Sequence, residues 1–128
     1  MRLLLDTDLV VETKTNPERL SQAARQLIEA GDNEIFFSAV SIWEVTIKSM
    51  LRRPEFDVDP EILRQDLEAT GFAELPLTSA HAIQMRALPS IHKDPFDRIL
   101  VAQATHEGMV LLTTDARIAD YPGPIRKV

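Results

Sequence analysis

Cysteine is absent from these 128 residues. Disulfides, thiolate zinc sites and a cysteine nucleophile are thereby excluded, and the lack fits a reducing compartment such as the cytoplasm. Long hydrophobic runs are missing too: Leu3 to Leu5 is broken at once by Asp6 and Asp8. Neither a signal-peptide core nor a membrane span is expected from so short a stretch. Aromatic residues make up 5% of the chain, too few for a platform on which single-stranded bases stack. Positive charge is scarce as well. Fourteen Lys and Arg stand against 20 Asp and Glu, a formal charge of −6, whereas proteins that coat a duplex neutralise its phosphates and are basic. A role on nucleic acid would have to rest on a local basic patch or on bound cations. With no internal repeat, low-complexity tract or Gly/Ser linker, one domain over residues 1–128 is expected.

What the chain does have is an alternation of short apolar runs with helical patterns. Arg2–Leu5 reads as a buried strand with carboxylates at its C-terminal end. Asn16-Pro17 looks like a cap with proline at the first helical position, followed by Leu20, Ala23, Ala24, Leu27 and Ile28 at helical spacing until Gly31. Glu34–Phe37 is a second strand, and Ser38 or Ser41 opens a helix carrying Ile42, Trp43, Val45 and Ile47. After a loop from Arg52 to Asp59, Asp59-Pro60 repeats the cap-plus-proline signal before Leu63, Leu67 and Gly71. Phe72–Leu77 is an extended candidate, Ser79 to Leu88 a short helix ended by Pro89, and Ser90 to Lys93 a polar loop. Asp94-Pro95 then opens a helix that runs to Gly108, Met109–Thr113 is the clearest strand, and Ile125–Val128 is a last one. Alternating strands and helices predict an α/β fold with a mainly parallel sheet covered on both faces. In such sheets ligands bind beyond the carboxyl ends of the strands.

Acids collect at that edge. Asp6 and Asp8 follow the first strand, Glu44 lies in the helix after the second, Asp94 and Asp97 flank the first turn of the Pro95 helix, and Asp115 follows the Met109–Thr113 strand. Gathered carboxylates repel one another, which raises their pKa values or calls for a cation. Oxygen donors without a His/Cys cluster favour Mg²⁺ or Mn²⁺ over zinc. Plainer readings stand beside this one. Ser41-Ile-Trp-Glu44 fits a capping box, and Asp94 fits a helix cap. A carboxylate directly beyond a buried parallel strand, such as Asp6 or Asp115, is harder to explain without a partner.

Four segments carry a family resemblance: Leu3-Leu-Leu-Asp6-Thr7, Ser38-Ala-Val-Ser-Ile-Trp-Glu44-Val, His92-Lys-Asp-Pro-Phe-Asp97-Arg-Ile-Leu-Val-Ala-Gln-Ala104 and Leu111-Leu-Thr-Thr-Asp115. In this order they resemble the successive motifs of PIN-domain proteins, above all the VapC toxins of VapBC toxin–antitoxin pairs. The resemblance implies a Rossmann-like α/β/α sandwich and a metal-dependent endoribonuclease that hydrolyses RNA phosphodiester bonds. It carries Asp6, Glu44, Asp97 and Asp115 over as the acidic quartet around Mg²⁺ (or Mn²⁺). Asp97 is preferred to Asp94 because it stands seven residues before Ala104, where the family's acid usually lies. Position 8, often His, Asn or Ser in these relatives, is Asp8 here, either a fifth acid of the site or a solvent-facing residue. The resemblance also implies a VapB-like antitoxin as partner and a homodimer, with helices near Glu18–Ala30 or Val40–Met50 as interface candidates.

Around the acids, Thr7, Asp94, Thr113 and Thr114 are candidates to orient a carboxylate or a bound water. Glu44, Lys48 and Arg52 fall at successive i,i+4 positions, either a salt-bridge ladder or the start of a basic strip that holds RNA phosphates together with Arg98. His81, His92 and His106 lack the spacing of a metal pair and read as ordinary loop or helix histidines. Trp43 and Phe96 are expected in the core. A receiver-like phosphoacceptor module is the rival of another class, although Phe72–Leu77 ends without the acid it needs. An inactive PIN scaffold is a third reading, against which the complete acidic set speaks.

Overall fold

The computed structural model describes residues 1–54 and 56–128. The elements in chain order are β1 (Arg2–Leu5), α1 (Thr7–Thr15), α2 (Gln22–Glu29), β2 (Glu34–Ser38), α3 (Ala39–Met50), α4 (Pro60–Ala69), β3 (Ala73–Leu75), α5 (Ser79–Gln84), α6 (Pro95–Glu107), β4 (Val110–Thr113), α7 (Ala116–Ala119) and β5 (Ile125–Lys127). All pairings are parallel, in the order β3-β2-β1-β4-β5. The α/β sandwich with a parallel central sheet is therefore as expected.

β1 explains how both faces are covered. Side chains alternate along a strand. Leu3 and Leu5 accordingly enter one core with Leu9 of α1, Ala24 of α2 and Leu67 of α4. Leu4 enters the other, with Leu100, Val101 and Ala104 of α6. All three leucines are fully buried, each stabilising the fold by roughly 1.5–3 kcal/mol. From β1 the chain steps outward through β2 to β3, then returns to β4 on the other side of β1. The carboxyl ends of β1 and β4 thus flank the point where strand order reverses, the place where open parallel sheets hold ligands. The same order excludes the receiver-like rival, whose doubly wound sheet runs 2-1-3-4-5, and β3 ends at Leu75, followed by Pro76 and not by an acid.

The local signals hold in part. Asp59 and Asp94 cap α4 and α6, each with proline at the first position, and Gly108 ends α6 in the left-handed conformation at φ 69°. Asn16-Pro17, in contrast, opens only a 3-10 turn, Pro17–Arg19; Leu20 is extended, and α2 begins after Ser21, whose hydroxyl accepts from the Ala24 N–H at 3.0 Å. α1 was not expected at all. Its threonines and valines are weak helix formers, and what secures it is Asp6 as N-cap together with burial of Leu9 and Val10. α7, four residues long, is too short to show a period. Ser38 rather than Ser41 caps α3, so Glu44 sits in the second turn and is no part of a capping box. No helix among the described residues is long and apolar enough to cross a membrane.

Candidate active site

Four elements deliver the acids. Asp6 leaves β1 and caps α1, its Oδ1 accepting from the Leu9 N–H at 3.0 Å. Glu44 comes from α3, Asp97 from the first turn of α6, and Asp115 caps α7 just beyond β4. All four line one cavity of about 140 Å³, as do Asp8 and Asp94. Lys48 and Arg117 supply the positive charge at its walls. A larger cavity of about 560 Å³, lined by Arg52 and Arg53 among others, belongs to the α3–α4 connection and gathers no such set of acids.

Burial makes these carboxylates unusual. Asp6 is 2% exposed, and its pKa rises from the ordinary 3.8 to about 7. Desolvation is the main cause, opposed by hydrogen bonds from Thr113 and Leu9 and reinforced by the charges of Asp8 and Asp97. The Thr113 hydroxyl donates to Asp6 Oδ2 at 2.6 Å and accepts from the Asp115 N–H at 3.0 Å, so one β4 side chain ties two of the acids together. Asp97 is likewise raised, to about 6, by desolvation first and then by Asp94, with a hydrogen bond to His92 working the other way. Asp115 is held below its usual range, chiefly by hydrogen bonding to Arg117 at 3.2 Å. Glu44 Oε2 meets Lys48 Nζ at 3.1 Å, whereas the buried Oε1 has no hydrogen-bond partner among the described residues. A buried carboxylate oxygen left unpaired is costly, on the order of 1–3 kcal/mol or more.

That oxygen, the two raised pKa values and the carboxylate-rich lining fit a hard divalent cation. Among the described residues, the donor atoms that already lie within 4.8 Å of one another are those of His92, Asp94 and Asp97; Asp6, Glu44 and Asp115 would complete a cation's surroundings from the same cavity.

The remaining expected residues divide. Thr7, buried, bonds Ser41 at 2.9 Å and lines the cavity, and Thr113 binds Asp6 directly. Thr114 is exposed and borders a neighbouring cavity with Asn16 and Arg19 instead. Asp94 caps α6 and also lines the acidic cavity; Asp8 is exposed and does so too. Lys48 is at the site, but Arg52 is not its continuation. α3 ends at Met50, and Arg52, left-handed at φ 52°, lines the cavity of the α3–α4 connection and not the acidic one. Arg98 is engaged within the protein, donating to Pro89 O at 2.8 Å and to the Tyr121 hydroxyl at 3.2 Å. Trp43 corrects an expectation: it is 55% exposed and meets Phe96 edge-on at 5.0 Å. Successive helical residues point about 100° apart, so turning Glu44 inward turns Trp43 outward.

Two residues of the site escaped sequence reasoning. His92 Nε2 lies 2.8 Å from Asp97 Oδ2. Arg117 clasps Asp115 through Nε and Nη2. Their signal was proximity to the acids in the chain, five and two residues away.

The PIN domain family model matches residues 3–124. Ribonuclease VapC22 of Mycobacterium tuberculosis is 32% identical over 123 residues, which is 95% of this chain and 93% of that protein. Among solved structures, the VapBC2 complex of Rickettsia felis bound to promoter DNA contains a chain that superposes with a TM-score of 0.72 at 15% identity, covering 99% of this chain and 98% of that one. The DNA-bound VapBC complex of Salmonella typhimurium gives 0.66 at 20% identity, with 99% and 98% covered. At these identities the structures speak for the fold alone.

Proposed function

We propose, from the premise that this chain belongs to the PIN-domain family, that residues 1–128 form one such domain acting as a divalent-cation-dependent endoribonuclease, the toxin of a VapBC-like pair. The observation that carries this reading is the convergence of Asp6, Glu44, Asp97 and Asp115 on one cavity at the strand-order reversal. The similar ribonuclease supports the reaction class, and hard oxygen donors favour Mg²⁺ or Mn²⁺.

A cation held by these acids would supply Lewis acidity toward the phosphate and the departing oxygen. The chain's own residues do the rest. Thr113 holds the Asp6 carboxylate, fixing its rotation. Asp115, kept ionised by Arg117, is available to accept a hydrogen bond from the attacking water and orient it. Lys48 and Arg117, each paired with one acid, line the cavity and offer positive charge to an incoming phosphate. None of these roles needs a covalent nucleophile.

An antitoxin of the VapB kind is the partner this reading implies, since the similar folds occur in VapBC complexes. We assign a homodimer contact to the exposed apolar side chains of α3, and the cytoplasm as the site of action. Purified protein with Mg²⁺ or Mn²⁺ is expected to cut RNA, and EDTA to stop it. Asp6→Asn and Asp97→Asn are each expected to abolish cleavage, and the growth arrest of a bacterial host, without unfolding. Wild-type cleavage rates from Asp6→Asn, or undiminished cleavage in EDTA, would overturn the proposal.

A further inference from the structure

We propose that His92 is a positioning residue of the acidic cavity, clamped by Tyr121 so that its imidazole fixes the Asp97 carboxylate. The proposal rests on reading the cavity as a cation site. His92 lies in the segment before α6, where an ordinary loop histidine would need no support. Here the support is extensive. The Tyr121 hydroxyl accepts from the His92 N–H at 2.8 Å and donates to the His92 carbonyl at 2.9 Å. It accepts a third bond from Arg98 at 3.2 Å, so its one proton and both lone pairs are committed. Arg98 in turn holds Pro89 O at 2.8 Å and lies over the Tyr121 ring, 5.9 Å from its centre. Tyr121 itself is 3% exposed and belongs to the core around α6.

This clamp joins the loop, α6 and the turn after α7, and its outcome is one contact with an acid that lines the cavity, His92 Nε2 to Asp97 Oδ2 at 2.8 Å. A hydrogen bond from Nε2–H restrains rotation of the carboxylate and leaves Oδ1, with the second lone pair of Oδ2, free for a cation. Groups that orient a metal-binding carboxylate or histidine in this way typically change cation affinity about 10–100-fold when removed. His92, Asp94 and Asp97 also offer donor atoms within 4.8 Å of one another, so direct ligation by the imidazole is the alternative a test must separate.

The test is Mn²⁺ titration of the full chain without RNA, followed by electron paramagnetic resonance, with circular dichroism of the cation-free proteins as the folding control. His92→Phe is expected to weaken binding about 10–100-fold. His92→Gln, whose amide N–H can reach the same carboxylate, is expected to recover most of it, and Tyr121→Phe to fall between. Should His92→Phe not fold, His92→Ala carries the comparison. Wild-type affinity in the Phe or Ala variant, no recovery by Gln, or a directly bound imidazole nitrogen in the wild-type spectrum would each overturn the positioning role. A wild-type chain that takes up no Mn²⁺ would instead overturn the cation site on which it rests.

Discussion

Asp6 ionises against its surroundings, and the consequence is measurable. Its folded pKa of about 7 exceeds the ordinary 3.8, so the folded chain holds this proton more tightly than the unfolded chain does. Stability contributed by the neutral form is complete below pH 4 and is lost as pH rises through 7. Asp97, raised to about 6, adds in the same direction. In EDTA the thermal midpoint is therefore expected to fall between pH 5 and pH 8. Asp6→Asn should match wild type only below about pH 4, pull ahead of it progressively as pH rises, and exceed it at pH 8 by an amount on the order of 4 kcal/mol. Saturating divalent cation should remove most of the difference, since it binds the ionised form. Parallel pH profiles for the two proteins would show that Asp6 does not carry this cost. The acid itself was legible in the sequence as a carboxylate directly after a buried strand. Thr113 was legible as a residue able to orient a carboxylate; that the carboxylate is Asp6's was not, because Thr113 lies 107 residues away and reaches it only through pairing of β1 with β4.

At the scale of elements, helix ends were read well where a cap and proline stood together, as at Asp59 and Asp94. Asn16-Pro17 carried the same pattern and failed, because Leu20 turns out of the helical path before Ser21 can cap α2. α1 stayed hidden for the opposite reason: tertiary burial and the Asp6 cap override poor intrinsic propensity. α3 combines two tasks on one cylinder. Its inner side presents Ser41, Glu44 and Val45, and outward it exposes Trp43, Ile47 and Met50, a helical stripe continued by the exposed Leu51 just past its end. This stripe is the surface on which the proposed second copy of the chain would dock. Sedimentation is expected to find a dimer for the wild type and a monomer for the double variant Trp43→Glu, Met50→Glu, with the thermal midpoint of the cation-free monomer little changed. A wild-type monomer, or a dimer that survives both charges, would remove this assignment.

For the whole molecule, the parallel sheet followed from the alternation of patterns, and the edge at which to look for chemistry followed from the sheet. Which acids share a cavity did not. That depends on the return from β3 to β4 across β1, which brings residues 6, 44, 97 and 115 to one reversal point from four elements. The net charge of −6 then has a local meaning. Part of it is concentrated where, among the described residues, Lys48 and Arg117 compensate and Glu44 Oε1 has no hydrogen-bond partner. The account stands on a cation completing this arrangement. Crystals grown with Mn²⁺ and measured at its absorption edge test it most directly. An anomalous peak within bonding distance of Asp6, Glu44 or Asp97 carboxylate oxygens is the expected result. A map with no peak in this cavity at saturating Mn²⁺, or with peaks only elsewhere on the protein, would contradict it.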